Sequence, residues 1–308
     1  MALHYRVYGL TLEANEPIDG LIPLSGTPAS PDLRIHYRVA PLRPDDLAVV
    51  HEGELDPESQ TANVIIRRSA STRVCTIDYR DGTSFVIAPG GSEVWCDWPS
   101  TSTPEDTATY LLGPVLAYVL RLRGTLALHA SGIAIADRAL LLAGAPRAGK
   151  STTAAAFAKR GAEVITDDVS PLILEDPVRV LPGYPRLRLW SDSAEALVGE
   201  LPRLTPNWEK RYLSVDVTDT PREIGAVAVL AGRAAATSIR QLYGHAAAIT
   251  LLRYASMTHA LDESMRAREF AQVTKLANRI PVFEVVAADA LDRVDALCDA
   301  LSALSSPA

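Results

Sequence analysis

Two short stretches of this 308-residue chain hold the residue types best suited to chemistry. The first is Gly144, Ala145, Pro146, Arg147, Ala148, Gly149, Lys150, Ser151, followed by Thr152. It fits the pattern of Gly, four residues, then Gly-Lys-Ser/Thr. Glycine lets a backbone turn tightly and lie close to phosphate oxygens. Backbone N–H groups at the start of a following helix then face the anion. Lys150 can reach the outer phosphates of a nucleotide, and the Ser151 hydroxyl can hold Mg²⁺. The second stretch is Asp167-Asp168, at the end of an apolar run. Ligands of open α/β sheets collect at the carboxyl ends of strands. An Asp placed there supports Mg²⁺, often through water. Adjacent carboxylates leave a strand end in different directions, so one can attend a metal while the other accepts a proton. His129 lies in an otherwise apolar run, where a lone His is ordinarily a packed core residue. Arg186, Arg188, Lys210 and Arg211 are further cations that could stabilise a transferring phosphoryl group. Such side chains are otherwise simply solvated.

The elements needed to position these residues can be read around them. Ala139–Ala143 is an apolar run of buried-strand type, and the alanine-rich stretch 152–159 reads as a helix. Strand, glycine loop, helix is the context that supports a phosphate-binding loop. Leu126–Ala130 and Gly132–Ala136 read as one bent strand or two short ones, Ala162–Thr166 as a strand ending in the two aspartates, and Ile224–Leu230 as a further strand. Helices are expected near 246–255, 263–277 and 289–304, and the region of Asn207, Lys210 and Arg211 reads as a loop. This alternation predicts an α/β layer architecture. Residues 1–100 differ. Short β-type runs at 5–8, 33–39, 63–66, 74–79 and 84–87, separated by turn formers, predict a small, mostly antiparallel β domain. Residues 106–122 read as a helix that Gly113-Pro114 kinks or splits. The expected organisation is a β-rich N-terminal domain, 1–100, and an α/β nucleotide-binding domain, 101–308.

The net charge of −7 gives no basic footprint for nucleic acid or an anionic membrane. The three cysteines, Cys75, Cys96 and Cys298, show no metal spacing, and the odd number argues against a disulfide framework. No apolar signal core opens the chain, and no run of eighteen apolar residues occurs, so a cytoplasmic protein without a membrane partner is expected.

Residues 128–172 resemble the catalytic core of HPr kinase/phosphorylase. The shared order is His129, the loop Gly144–Ser151, Arg160-Gly161 and then Asp167-Asp168. The resemblance implies a phosphoenolpyruvate-carboxykinase-like P-loop fold, ATP and Mg²⁺ as cofactors, and phosphorylation of a serine on a small protein or peptide. By position, Lys150 would contact the β- and γ-phosphates and Ser151 would ligate Mg²⁺. Asp167 would support the metal through water, Asp168 would take the serine proton, and His129 would orient an acidic partner or the phosphate. The split of roles between the aspartates stays open. The chain departs from the bifunctional enzyme at Pro146-Arg147, which replaces the usual Ser-Gly. It also carries Gly183-Tyr-Pro-Arg-Leu-Arg-Leu-Trp190 where a glycine-rich segment with a metal-binding Glu is usual. Residues 5–21, 183–190 and 281–286 resemble the stand-alone kinases of ribosomal peptide pathways, including lasso peptide precursor kinases. The expectation is therefore a precursor-peptide serine kinase, commonly acting at a C-terminal serine. The alternatives are a bifunctional HPr kinase/phosphorylase and a regulatory module that binds ATP without transfer. The ring-forming relatives leave a homo-oligomer open.

Overall fold

The structure, a computed structural model, describes every residue except 1, 27, 29, 58, 202–208, 289–292 and 306–308. Asn207 and the first turn of the helix expected at 289–304 lie outside the described residues. The chain packs as two compact units, Met1–Gly124 with Met257–Met265, and Thr125–Ser256 with Arg266–Ala308.

The first unit carries strands β1 (Leu3–Val7), β2 (Leu10–Ala14), β3 (Leu33–Tyr37), β4 (Leu47–Glu52), β5 (Val64–Ser69), β6 (Cys75–Tyr79), β7 (Ser84–Ile87) and β8 (Glu93–Asp97). They form one sheet in the order β1-β2-β3-β8-β7-β6-β5-β4. The β2–β3 and β3–β8 pairs are parallel and the others antiparallel. Alternating side chains bury one face, with Leu12, Leu33, Ile35, Ile77, Phe85 and Val94 fully enclosed. Helices α1 (Pro104–Tyr110) and α2 (Leu116–Leu122) belong to this unit, although the sequence places them beyond residue 100. Together with residues 111–115 between them they bury Ala108, Leu111, Val115, Leu116, Tyr118 and Val119, which is why they go with this core. Thr103 and Asp106 cap α1 reciprocally. The Gly113-Pro114 break separates the helices, with Gly113 at ψ −109°. Residues 257–265 return to the unit, where the Arg68 guanidinium donates to the Ala260 carbonyl and Arg73 pairs with Asp262 at 2.9 Å.

The second unit is mixed α/β. Its strands are β9 (Ala127–Leu128), β10 (Ala130–Ile135), β11 (Arg138–Gly144), β12 (Val164–Thr166), β13 (Ser170–Ile173), β14 (Arg179–Val180), β15 (Arg186–Leu189), β16 (Arg211–Ser214), β17 (Arg222–Ala234), β18 (Ser238–Leu242) and β19 (Val282–Ala288). Its helices are α3 (Lys150–Lys159), α4 (Ser191–Val198), α5 (Gly244–Leu252), α6 (Glu263–Ala277, shared with the first unit) and α7 (Val294–Ser302). The main path runs β12-β10-β11-β17-β14-β13-β9, and β19 lies parallel to β17 with β18 beyond it. The period of two along β11 and β17 sorts side chains to two cores. Leu141, Ala143, Val227 and Val229 pack with Leu251 of α5 and Leu276 of α6. Leu140, Leu142, Ala226 and Ala228 pack with Phe157 of α3, Leu197 of α4 and Leu301 of α7. A sheet buried on both faces explains the unbroken apolar runs of its central strands. Arg211 begins β16, paired with β15, rather than lying in a loop. Among the described residues no helix is long and apolar enough to cross a membrane.

Candidate active site

The expected site residues converge because four strands end at one edge. Strand β10 runs antiparallel to both β11 and β12, so those two share a direction, and β17 and β19 share it too. At that edge β11 ends in the 144–149 loop, α3 begins at Lys150, and β12 ends in Asp167-Asp168. Glycine is required at Gly144, where φ is +155° and a Cβ would lie 2.9 Å from the Leu230 carbonyl oxygen and 3.0 Å from Ala148 Cβ. Gly149 has φ +102°, and a Cβ there would meet the Arg233 guanidinium at 2.9 Å. Ala145, Pro146 and Arg147 form the exposed tip, and Arg147 is itself left-handed at φ +64°.

Asp167 is the hub. Its carboxylate accepts from Ser131 Oγ at 2.6 Å, from Ser151 Oγ at 3.1 and 3.2 Å, and from the Arg188 backbone N–H at 3.1 Å. It is 2% exposed, and burial, then the neighbouring Asp168 charge, push its carboxyl above the usual carboxylate range. Asp168 goes the other way. Burial would raise it, but Arg188, Lys210 and His129 outweigh that and hold it well below the usual range. The Arg188 guanidinium forms an ion pair with Asp168 Oδ2. The Asp168 backbone sits at φ +62°, a sparsely populated conformation for a residue with a Cβ. Its carbonyl takes a hydrogen bond from His129 Nδ1 at 3.0 Å, which fixes the proton on that nitrogen. The His129 N–H donates to the Tyr254 carbonyl at 2.6 Å. Burial, ahead of the other influences, lowers the His129 pKa.

The segment that delivers Arg188 needs a close approach. Gly183 donates to the Ile165 carbonyl at 2.7 Å, and a Cβ there would lie 2.6 Å from Thr166 Oγ1 and 3.1 Å from Thr166 Cα. Lys150 is 6% exposed and donates to the carbonyls of Gly144 and Ala145 at 2.9 and 3.2 Å. Burial lowers its pKa against the opposing pull of Asp168 and Asp167. Trp190, just before α4, collects two cations. Arg147 lies 4.3 Å and Lys210 5.3 Å from its ring centroid. Thr152 turns to α4, where its hydroxyl donates to Ser193 Oγ at 3.1 Å.

Of the four outlying cations, Arg188 and Lys210 act on the aspartates, whereas Arg186 stacks on Tyr212 and Arg211 donates to the Glu209 carbonyl. Ser131, Trp190 and Arg233 escape sequence reasoning. Ser131 carries a faint signal as a hydroxyl in an apolar strand, but nothing local marks Arg233, which lies in the last residues of β17.

The donor set suits a small hard cation. Magnesium is commonly held by one or two carboxylates plus substrate phosphates, and Ser151 Oγ and the Asp167 carboxylate offer that oxygen pair. Among the described residues there is no cluster of three or more His, Cys, Asp or Glu fit to hold a metal, so no all-protein cage is found there. Cys75, Cys96 and Cys298 are buried free thiols.

No family model and no curated protein sequence matches this chain. The solved HPr(Ser) kinase/phosphatase from Coxiella burnetii is similar over 58% of this chain and 92% of that one, at 14% identity and a TM-score of 0.29. A likeness of that size carries no functional argument, so the reading rests on the residues of the site.

Proposed function

We propose that this chain is an ATP- and Mg²⁺-dependent serine kinase. The observation that carries the reading is the direct link from Ser151, the last residue of the glycine loop, to the Asp167 carboxylate, with Lys150 and Asp168 in the same buried cluster. In this reading the loop's backbone N–H groups and Lys150 hold the triphosphate. Ser151 and Asp167 hold Mg²⁺, which when bound neutralises charge on the phosphates. Asp168 is the base. Its basicity is weak because of Arg188, but it stays a carboxylate at every physiological pH, ready to accept the serine proton. The serine oxygen bonds to the γ-phosphorus, the bridging bond to ADP breaks, and the proton passes to Asp168. His129 fixes the Asp168 backbone through the carbonyl hydrogen bond.

The acceptor we propose is a serine of a ribosomally made precursor peptide, of lasso type first. Its support is the likeness of residues 5–21, 183–190 and 281–286 to such kinases. The enzyme would be cytoplasmic. Labelled ATP offered with a serine-bearing precursor peptide and with HPr tests the assignment. We expect label on the peptide serine and none on HPr. Efficient labelling of HPr that inorganic phosphate reverses would transfer the assignment to the bifunctional enzyme. Tight ATP binding with no transfer to any acceptor would favour a sensing module.

A further inference from the structure

Arg188 has more hydrogen-bonding capacity in the site than the resting arrangement uses. Its side chain is nine-tenths buried, as is that of Asp168. The guanidinium pairs with Asp168 Oδ2, and the backbone N–H holds Asp167. Its Nε has no hydrogen-bond partner among the described residues. Buried polar atoms ordinarily find partners, so an orphan in a polar cluster points to a missing one. A buried ion pair is also a poor source of stability, since desolvating both charges offsets most of the attraction. The two halves differ in freedom. Asp168 is pinned by its left-handed backbone and by the His129 hydrogen bond to its carbonyl. Arg188 reaches it with a long side chain that has rotatable bonds to spare. A guanidinium fork matches phosphate as well as it matches carboxylate. Lys150 and Arg188 share the electrostatic neighbourhood of the same aspartates.

We propose that Arg188 senses the terminal phosphate of the bound nucleotide. Its guanidinium covers Asp168 until that phosphate takes it, and its departure uncovers the Asp168 carboxylate for the acceptor hydroxyl. The inference rests on reading the 144–151 loop as the ATP site. It makes the base available only when a triphosphate is present, so a diphosphate leaves Asp168 covered. Arg188 is then a positioning residue for the base and a ligand of the substrate.

The two sides of the pair should respond in opposite directions. The measured quantity is the preference for β,γ-imido-ATP over ADP, by calorimetry with Mg²⁺, in wild type, R188Q, D168N and the double variant. Wild type should prefer the triphosphate. R188Q should lose about 10- to 100-fold of that preference, the scale of one hydrogen bond to a charged group, with ADP affinity nearly unchanged. D168N should gain preference, because Arg188 no longer has to leave a carboxylate. The gain should vanish in the double variant, which separates release of Arg188 from simple loss of a negative charge. If R188Q does not fold, R188K keeps the charge without the fork and should still lose most of the preference. An unchanged preference in the Arg188 variants, or a D168N gain that survives in the double variant, overturns the sensor while leaving the kinase reading intact. Failure of wild type to bind either nucleotide overturns both.

Discussion

A methyl group added at Gly144 would separate the loop's structural demand from its chemical one. Gly144→Ala places a Cβ 2.9 Å from the backbone oxygen of Leu230 and 3.0 Å from Ala148 Cβ, in a backbone at φ +155°. Leu230 is the residue paired with Gly144 in the parallel β11–β17 ladder, so its carbonyl cannot retreat without breaking central pairing. The dihedral strain is about 1–2 kcal/mol for an L-residue on the positive-φ side. Overpacking against backbone adds about 1–3 kcal/mol. The sum is roughly 2–5 kcal/mol, a large part of the stability of an ordinary domain. Gly161→Ala is the matched reference. It too has positive φ, +87°, but a Cβ there has nothing within 4 Å, so only the strain of about 1–2 kcal/mol applies. Urea denaturation of both variants, at equal m, reads the difference as a shift in midpoint. Gly144→Ala should unfold at distinctly lower urea than Gly161→Ala. Equal midpoints would refute the argument that the Leu230 carbonyl forces glycine at this position.

Three further outcomes follow from the same geometry. Lys150→Ala should abolish the thermal stabilisation by Mg-ADP, which in wild type should be about 2.7 kcal/mol at a hundredfold over the dissociation constant; an equal shift in both proteins would remove Lys150 from the site. Asp167→Asn removes a buried charge whose ionisation the fold opposes, first through burial and then through Asp168, so the urea midpoint at pH 7 should hold or rise while the Mg²⁺ dependence of nucleotide binding weakens. A fall in that midpoint would mean that the hydrogen bonds from Ser131, Ser151 and Arg188 outweigh the burial of the charge. The His259 ring lies 4.1 Å from that of His51, and burial together with the His51 charge draws its pKa down to about 4. The unfolded chain therefore takes the proton first, stability falls as pH drops from about 6.5 through 4, and His259→Gln should flatten that slope in urea midpoints.

Much of the second unit could be read because its signals are local. The Gly144–Ser151 pattern follows from the needs of one turn, and the strand before it and the helix after it are contiguous in sequence. Asp167 and Asp168 close a strand whose apolar run is continuous because both faces of the sheet are covered. The first unit was harder. Strand β4, Leu47–Glu52, lies at the edge of its sheet with most of its side chains exposed, so no burial pattern marks it. Strands β2 and β8 belong to parallel pairs whose partners are distant in the chain, and pairing of that kind leaves no mark on either segment alone. The 257–265 segment joins that unit through Arg68 and Arg73, contacts made across nearly two hundred residues of sequence.

Arg186 and Arg188 show where sequence reading of the site stops. Two residues apart on β15, they are equal candidates by type and spacing, and a strand sends both to the same face. Their surroundings separate them. Arg186 finds the Tyr212 ring, whereas Arg188 finds Asp168, because the 183–190 segment is laid against the end of β12 through the Gly183 contact. That contact has no signature beyond one glycine in a proline-rich stretch. Its consequence is large, since it decides which arginine meets the aspartates and also supplies the backbone N–H that orients Asp167. The chemistry of the pair is thus set by a close approach between two segments, and a residue larger than glycine at position 183 would disturb Asp167 and Asp168 together without touching either.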